Sequence, residues 1–80
     1  MTSATPGPAL DLVRTIWCDV LELEEVADDV NFYAVGGDSL KLIAVVERLR
    51  LATGHPVRMV DALHAGTVEG HAGLLADSAS

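Results

Sequence analysis

Val35-Gly36-Gly37-Asp38-Ser39-Leu40 is the stretch on which the reading of this chain turns. Its two glycines break any preceding structure, because they admit backbone conformations closed to other residues. Asp38 and Ser39 then stand at a helix start, and helical spacing of apolar residues continues from Ser39 to about Ala52. Leu42, Val45, Val46 and Leu49 share the expected core face. Leu40, Ile43, Ala44 and Glu47 lie together on a neighbouring face, with Ile43 bordering the core stripe, while Lys41 and Arg48 point further away. Arg48 and Arg50 fall near the C-terminal end, where positive charge offsets the helix dipole. Gly54 is a natural stop, reinforced by Pro56.

Toward the N-terminus, helical spacing runs from Ala9 to about Leu23. Ala9, Val13, Ile16 and Val20 form one stripe, flanked by Leu12, Trp17 and Leu23. Asp11, Arg14, Cys18 and Glu22 fall opposite, so Cys18 is expected to face solvent or a shallow groove. Five acids follow between Glu22 and Asp29, and then Val30-Asn31-Phe32-Tyr33-Ala34-Val35. That ending is too apolar for a solvated linker; Phe32 and Val35 should fold back as anchors, with Tyr33 partly wet. Beyond Gly54, Val57 to Ala65 leaves room for one short helix, about Met59 to His64. Thr67 can cap a last helix reaching about Ala76. Gly70 and Gly73 each weaken that helix by roughly 1 kcal/mol relative to Ala, which makes it the least stable expected element. The expected fold is all-α: a small four-helix bundle of three longer helices and one short, with a long first loop. A domain over 9–76 lies between a flexible N-terminal segment, 1–8, and a flexible tail, 77–80.

Eighty residues make one domain, and a 50% hydrophobic fraction suffices for a core. With three aromatics, that core must be mostly Leu, Val, Ile and Ala. A net charge of −7 argues against nucleic acid, because nothing here neutralises a run of phosphates. No apolar run approaches the roughly 20 residues that span a bilayer, and Met1 to Pro8 does not read as a secretory signal. The single cysteine, Cys18, excludes an internal disulfide and fits a reducing cytoplasm. Cys18 has no nearby His or second Cys, and His55, His64 and His71 lack second ligands at suitable spacing, so no metal site is expected.

Ser39 admits two chemistries. Gly37-Asp38-Ser39-Leu40 spells the block of the GDSL esterases and lipases, and Asp61-Ala62-Leu63-His64 spells their Asp-x-x-His. Those enzymes resemble doubly wound α/β sheets in which the serine follows a strand. Nothing before Gly36 alternates like a strand, and a parallel sheet needs crossovers of a dozen residues or more. As an attachment point, Ser39 fares better: unpaired N–H groups and the positive dipole end favour an anion there, and the glycines keep side chains clear. Locally, Ser39 or Asp38 could equally serve only as a helix cap.

A wider match decides between these. Asp29-x-x-Phe32-Tyr33-x-Val35-Gly36-Gly37-Asp38-Ser39-Leu40 resembles the attachment segment of carrier proteins. It is most similar to the peptidyl carrier proteins (thiolation domains) of nonribosomal peptide synthetases, within the acyl carrier protein-like superfamily. The likeness continues through Arg48-Leu49-Arg50, Gly54 and Leu63-His64-Ala65-Gly66-Thr67-Val68, covering about residues 10 to 76. Val35, Tyr33, His64 and Gly66 depart from the usual Leu, Phe, Phe and Pro.

The resemblance implies a non-catalytic carrier. Ser39 would receive 4′-phosphopantetheine from coenzyme A through a phosphopantetheinyl transferase. The arm would hold a thioester-bound acyl or aminoacyl group during nonribosomal peptide or antibiotic biosynthesis. Implied partners are an adenylation enzyme and condensation or other tailoring enzymes. The expected docking surface is Asp38, Leu40, Lys41, Ile43, Ala44 and Glu47, with Met59 and Val60. Fatty-acid carriers resemble one another in a strongly acidic second helix; here Asp38 and Glu47 are outnumbered by Lys41, Arg48 and Arg50. That favours the peptidyl type, with a polyketide acyl carrier as the alternative and a simple helical adaptor as a third possibility. Met1 at the start and a last helix close to the end favour a free-standing carrier acting in trans, although an excised domain would look similar; a cytoplasmic monomer is expected.

Overall fold

The computed structural model describes residues 7–77. Of the N-terminal segment expected at 1–8 and the tail expected at 77–80, residues 1–6 and 78–80 lie outside the described residues, while Gly7 and Pro8 open the first helix and Asp77 closes the last. Four helices follow one another: α1 (Gly7–Leu21), α2 (Ser39–Thr53), α3 (Met59–Ala65) and α4 (Val68–Asp77). A 3-10 turn, Phe32–Val35, interrupts the long loop before α2. The bundle is therefore three longer helices and one short, with no strand among the described residues. No helix among them is long and apolar enough to cross a membrane.

Helix α1 starts two residues before the expected Ala9 and ends two before Leu23. The end has a local cause: Glu22 adopts a left-handed backbone, φ 58°, and the Leu23 N–H bonds back to the Cys18 carbonyl at 2.9 Å. The inward face is also rotated from the expected stripe. Val13, Ile16, Trp17 and Leu21 are buried, whereas Ala9, Leu12 and Val20 only border the core. Cys18 lines a wide, open groove of about 920 Å³ with Asp11, Arg14, Asp19, Glu24 and Val26.

Helix α2 buries Leu42, Val45, Val46 and Leu49, the four residues its period assigns to the core. It stops at Gly54, which takes φ 75° and bonds back to the Arg50 carbonyl at 2.8 Å. Helix α1 packs on α2 and α4, and α3 packs between α2 and α4. Arg48 of α2 pairs with Asp19 of α1. Thr67 stands just before α4, and its hydroxyl accepts the Gly70 N–H at 3.0 Å. Gly70 does more than weaken the helix: a Cβ there would lie 2.8 Å from Ala65 Cβ and from the Ala65 carbonyl oxygen. Its lack of a side chain lets α4 close on the end of α3.

The core is mostly Val, Leu, Ile and Ala, centred on fully buried Trp17 and Phe32. Their rings meet edge to face with centroids 4.9 Å apart, a preferred geometry for aromatic pairs. One polar side chain joins them: His71 of α4 is fully buried. The α-helical period around it does not reveal this, because the imidazole is admitted by partners on two other elements.

Candidate functional site at the start of α2

The site is assembled from the loop upward. Arg14 of α1 holds Asp28 through two hydrogen bonds, Nε to Oδ1 at 2.6 Å and Nη2 to Oδ2 at 3.0 Å. This neighbour keeps the Asp28 carboxyl below its ordinary range and raises the guanidinium. The Asp28 carbonyl accepts the Glu69 N–H at 3.0 Å, and the Gly66 carbonyl accepts the Phe32 N–H at 2.8 Å. Both ends of the loop are thereby tied to the start of α4.

Asn31 caps the 3-10 turn, its side chain accepting the Tyr33 N–H at 2.9 Å. Phe32 then points fully into the core, Val35 is half-buried and Tyr33 is partly wet, as the apolar pattern implies. Gly36 closes the turn at φ 98°, a conformation that side chains resist. Gly37 has a different reason to be glycine. A Cβ there would stand 2.3 Å from Phe32 Cδ2 and Cε2 and 2.7 Å from the Phe32 carbonyl oxygen. The loop rests directly on the buried ring.

Asp38 follows as the N-cap, its carboxylate accepting the Lys41 N–H at 2.9 Å while its carbonyl accepts the Leu42 N–H at 2.8 Å. Such a cap contributes about 1 kcal/mol. This settles the division of labour that the sequence leaves open: Asp38 does the capping. Ser39, the first residue of α2, is exposed, and its hydroxyl has no hydrogen-bond partner among the described residues. The N–H groups at the mouth of a helix have no intrahelical acceptors and suit an anion. Lys41 extends back to the Gly36 carbonyl at 3.4 Å, bringing a positive charge to the same mouth. An exposed hydroxyl with an open approach and anion-stabilising surroundings can accept a phosphate-linked group. The residues present fit such a group.

They do not form a nucleophilic triad. Asp61 and His64 are exposed on α3, and no hydrogen bond joins them to each other or to Ser39 among the described residues. No group of three or more His, Cys, Asp or Glu that could hold a metal is found among the described residues.

Beside Ser39, Leu40 is 78% exposed and Ile43 46%, so neither belongs to the core. Asp38, Lys41, Glu47 and Val60 are exposed as well, whereas Ala44 and Met59 are half-buried. Arg50 donates its Nε–H to the Val57 carbonyl at 2.8 Å and pairs through Nη1 with Glu47 at 3.7 Å. Leu51, outside the expected docking surface, is 84% exposed. Its signal was present: Leu40, Ala44, Glu47 and Leu51 follow the i, i+4, i+7, i+11 spacing of one helix face. Leu63, three residues after Val60, extends the exposed apolar surface of α3 in the same manner.

The sequence family described as the phosphopantetheine attachment site matches residues 11–75. Among relatives, the PKS-NRPS hybrid synthetase acdB of Aspergillus candidus is 33% identical over 79 residues, covering 95% of this chain and 3% of that protein. Tyrocidine synthase 2 of Brevibacillus parabrevis is 39% identical over 67 residues, covering 82% of this chain and 2% of the synthase. The chain thus spans only a few per cent of the length of these relatives. A solved non-ribosomal PCP domain superimposes with a TM-score of 0.74 at 28% identity, covering 90% of each chain. BlmI, a type-II acyl carrier protein from Streptomyces verticillus involved in bleomycin biosynthesis, shares the fold with a TM-score of 0.89 at 20% identity, covering 94% of this chain and 90% of its own.

Proposed function

The chain belongs to the phosphopantetheine attachment-site family, and on that premise we propose that it is a peptidyl carrier whose arm is attached at Ser39. The observation that carries this reading is the exposed Ser39 hydroxyl at the first position of α2, without a hydrogen-bond partner among the described residues, with Asp38 occupied as the cap. When bound, the arm supplies a thiol on which an acyl or aminoacyl group is held as a thioester. The protein's own residues perform no chemistry on that group. Gly36 and Gly37 leave the approach open, Phe32 supports the loop from below, and the mouth of α2 with Lys41 favours the phosphodiester charge. Tethering raises the effective concentration of the intermediate at each successive enzyme.

Docking by a phosphopantetheinyl transferase, an adenylation enzyme and condensation or tailoring enzymes falls to the face beside Ser39. Leu40, Lys41, Ile43, Ala44 and Glu47 of α2, with Asp38 before it and Met59 and Val60 of α3, form that face. Leu51 and Leu63 widen it. Brief, reversible recognition requires only a small surface of this kind. The peptidyl type is supported by the nonribosomal synthetases among the relatives and by the balance of charge along α2.

Incubation with coenzyme A, magnesium and a broad-specificity phosphopantetheinyl transferase should raise the mass by one arm, and Ser39→Ala should abolish the gain. An unmodified wild-type protein would overturn the assignment. Loading of the modified protein with an amino acid by adenylation enzymes separates peptidyl from polyketide use, since a polyketide carrier would take acyl groups from an acyltransferase instead.

A further inference from the structure

His71 lies at the centre of the bundle. Its Nδ1 stands 3.0 Å from the indole Nε1 of Trp17, and its Nε2 stands 3.0 Å from the Ala62 carbonyl oxygen. An indole nitrogen can only donate, so Nδ1 must accept; the ring proton therefore sits on Nε2 and is donated to Ala62. One neutral tautomer satisfies both bonds. We propose that the neutral His71 imidazole is an acid-released lock, joining α1, α3 and α4 behind the loop that presents Ser39.

The charged ring cannot make the same contacts. Imidazolium carries a proton on each nitrogen, so Nδ1–H would face the Trp17 N–H, donor against donor. The groups facing the ring are Trp17 from α1, Phe32 from the 3-10 turn and the Ala62 carbonyl from α3. None of the three is charged or titrates between pH 5 and 8. Burial pushes the imidazole below its ordinary range, and the bond to Ala62 pulls it back to a lesser degree. Protonation also reaches the site. The His71 ring packs at 5.3 Å from Trp17, which packs on Phe32, and Phe32 is the floor beneath Gly37.

The sign follows from linkage. The unfolded chain binds the proton at the ordinary pKa near 6.5, whereas the folded chain binds it only at lower pH. The lock is therefore intact above about pH 6.5, and its stabilisation is lost as pH falls toward the folded value, by up to about tenfold in the folding constant per pH unit. Asp28 contributes through the opposite kind of group in a separate, more acidic window, because its lowered pKa lies below the ordinary carboxylate range.

The test follows the assigned His71 ring nitrogens by long-range ¹⁵N NMR from pH 7.5 to 5, with urea unfolding followed by circular dichroism. Wild type should show the Nε2–H tautomer, a ring that stays neutral below pH 6.5, and a folding constant that falls over the same interval. The Gly37 and Ser39 amide shifts should move with the His71 titration. His71→Leu retains His55 and His64, and should lose most of the pH slope between 6.5 and 5.5. Trp17→Phe removes the opposing donor, so its His71 should titrate at higher pH than in wild type. An Nδ1–H tautomer, a ring titrating at or above pH 6.5, or an unchanged slope in His71→Leu overturns the proposal. Site amides that ignore the titration overturn the link to Ser39. If either variant fails to fold, the wild-type ring titration decides alone.

Discussion

Adding a single methyl group at Gly37 should damage both the fold and the presentation of Ser39. Carbon atoms in contact sit about 3.5–4.0 Å apart, but a Cβ at position 37 would stand 2.3 Å from two ring carbons of Phe32. One partner must therefore move by more than about 1 Å. Phe32 has little room to do so. It is fully buried, its ring meets Trp17 at 4.9 Å, its N–H is bonded to Gly66, and its carbonyl accepts the Gly37 N–H at 3.0 Å. Overpacking of this kind costs about 1–3 kcal/mol, offset by about 0.4–1 kcal/mol from the lower chain entropy of Ala in the unfolded state. A net loss of about 1.3 kcal/mol is expected for Gly37→Ala, roughly a ninefold fall in the folding constant. The single tryptophan, packed on Phe32, reports the change by fluorescence during urea unfolding. Gly36→Asn is the control. Position 36 needs a positive φ, which Asn tolerates, and a Cβ there meets nothing within 4 Å. In buffer where Gly37→Ala remains folded, transfer of the arm to Ser39 should also be slower than in Gly36→Asn. Equal unfolding midpoints for Gly37→Ala and wild type would refute the close-approach argument.

Two further changes test other parts of the bundle. Gly73→Ala should stabilise the protein by up to about 1 kcal/mol, because helix propensity improves and a Cβ there meets nothing within 4 Å. Gly70→Ala gains the same propensity but drives its Cβ onto Ala65, so a net loss of about 1 kcal/mol is expected by urea unfolding. The Arg14–Asp28 pair supplies a pH effect. Its contribution is present above the ordinary carboxylate pKa and lost as pH falls through the lowered folded value of Asp28. Asp28→Asn should flatten that acid limb of the unfolding profile relative to wild type; an unchanged limb would show that the pair carries no linkage.

Helix α2 is the part most fully legible in the sequence, because its signals are short-range. A period of 3.6 residues names Leu42, Val45, Val46 and Leu49, Gly54 marks the end, and the Gly-Gly-Asp-Ser run marks the start. Thr67 is legible for the same reason, since a cap acts on an N–H three residues away. Helix α1 is less legible. Its apolar residues surround more than half of the helix, so the period names Val20 where packing buries Leu21, and the left-handed turn at Glu22 has no glycine to announce it. The 3-10 turn escaped because four residues are too few for a period, although its anchor, Phe32, was legible from its apolar company.

By itself, the sequence determined that the chain is helical, where α2 begins, and that Ser39 stands at its mouth beside an acidic residue able to cap it. These are properties of neighbouring residues on one strand of backbone, enforced by local sterics and local hydrogen bonds. Tertiary structure decided the rest. His71 became a buried link because Trp17 and Ala62 arrive from other helices with one donor and one acceptor at 3.0 Å. A side chain at Gly37 or Gly70 became costly because an aromatic ring and a neighbouring helix end come within a methyl group's reach. Leu40 and Leu51 remained exposed because the packed elements cover the opposite side of α2. Burial and close approach depend on what lies across the core, and that is a property of the assembled bundle.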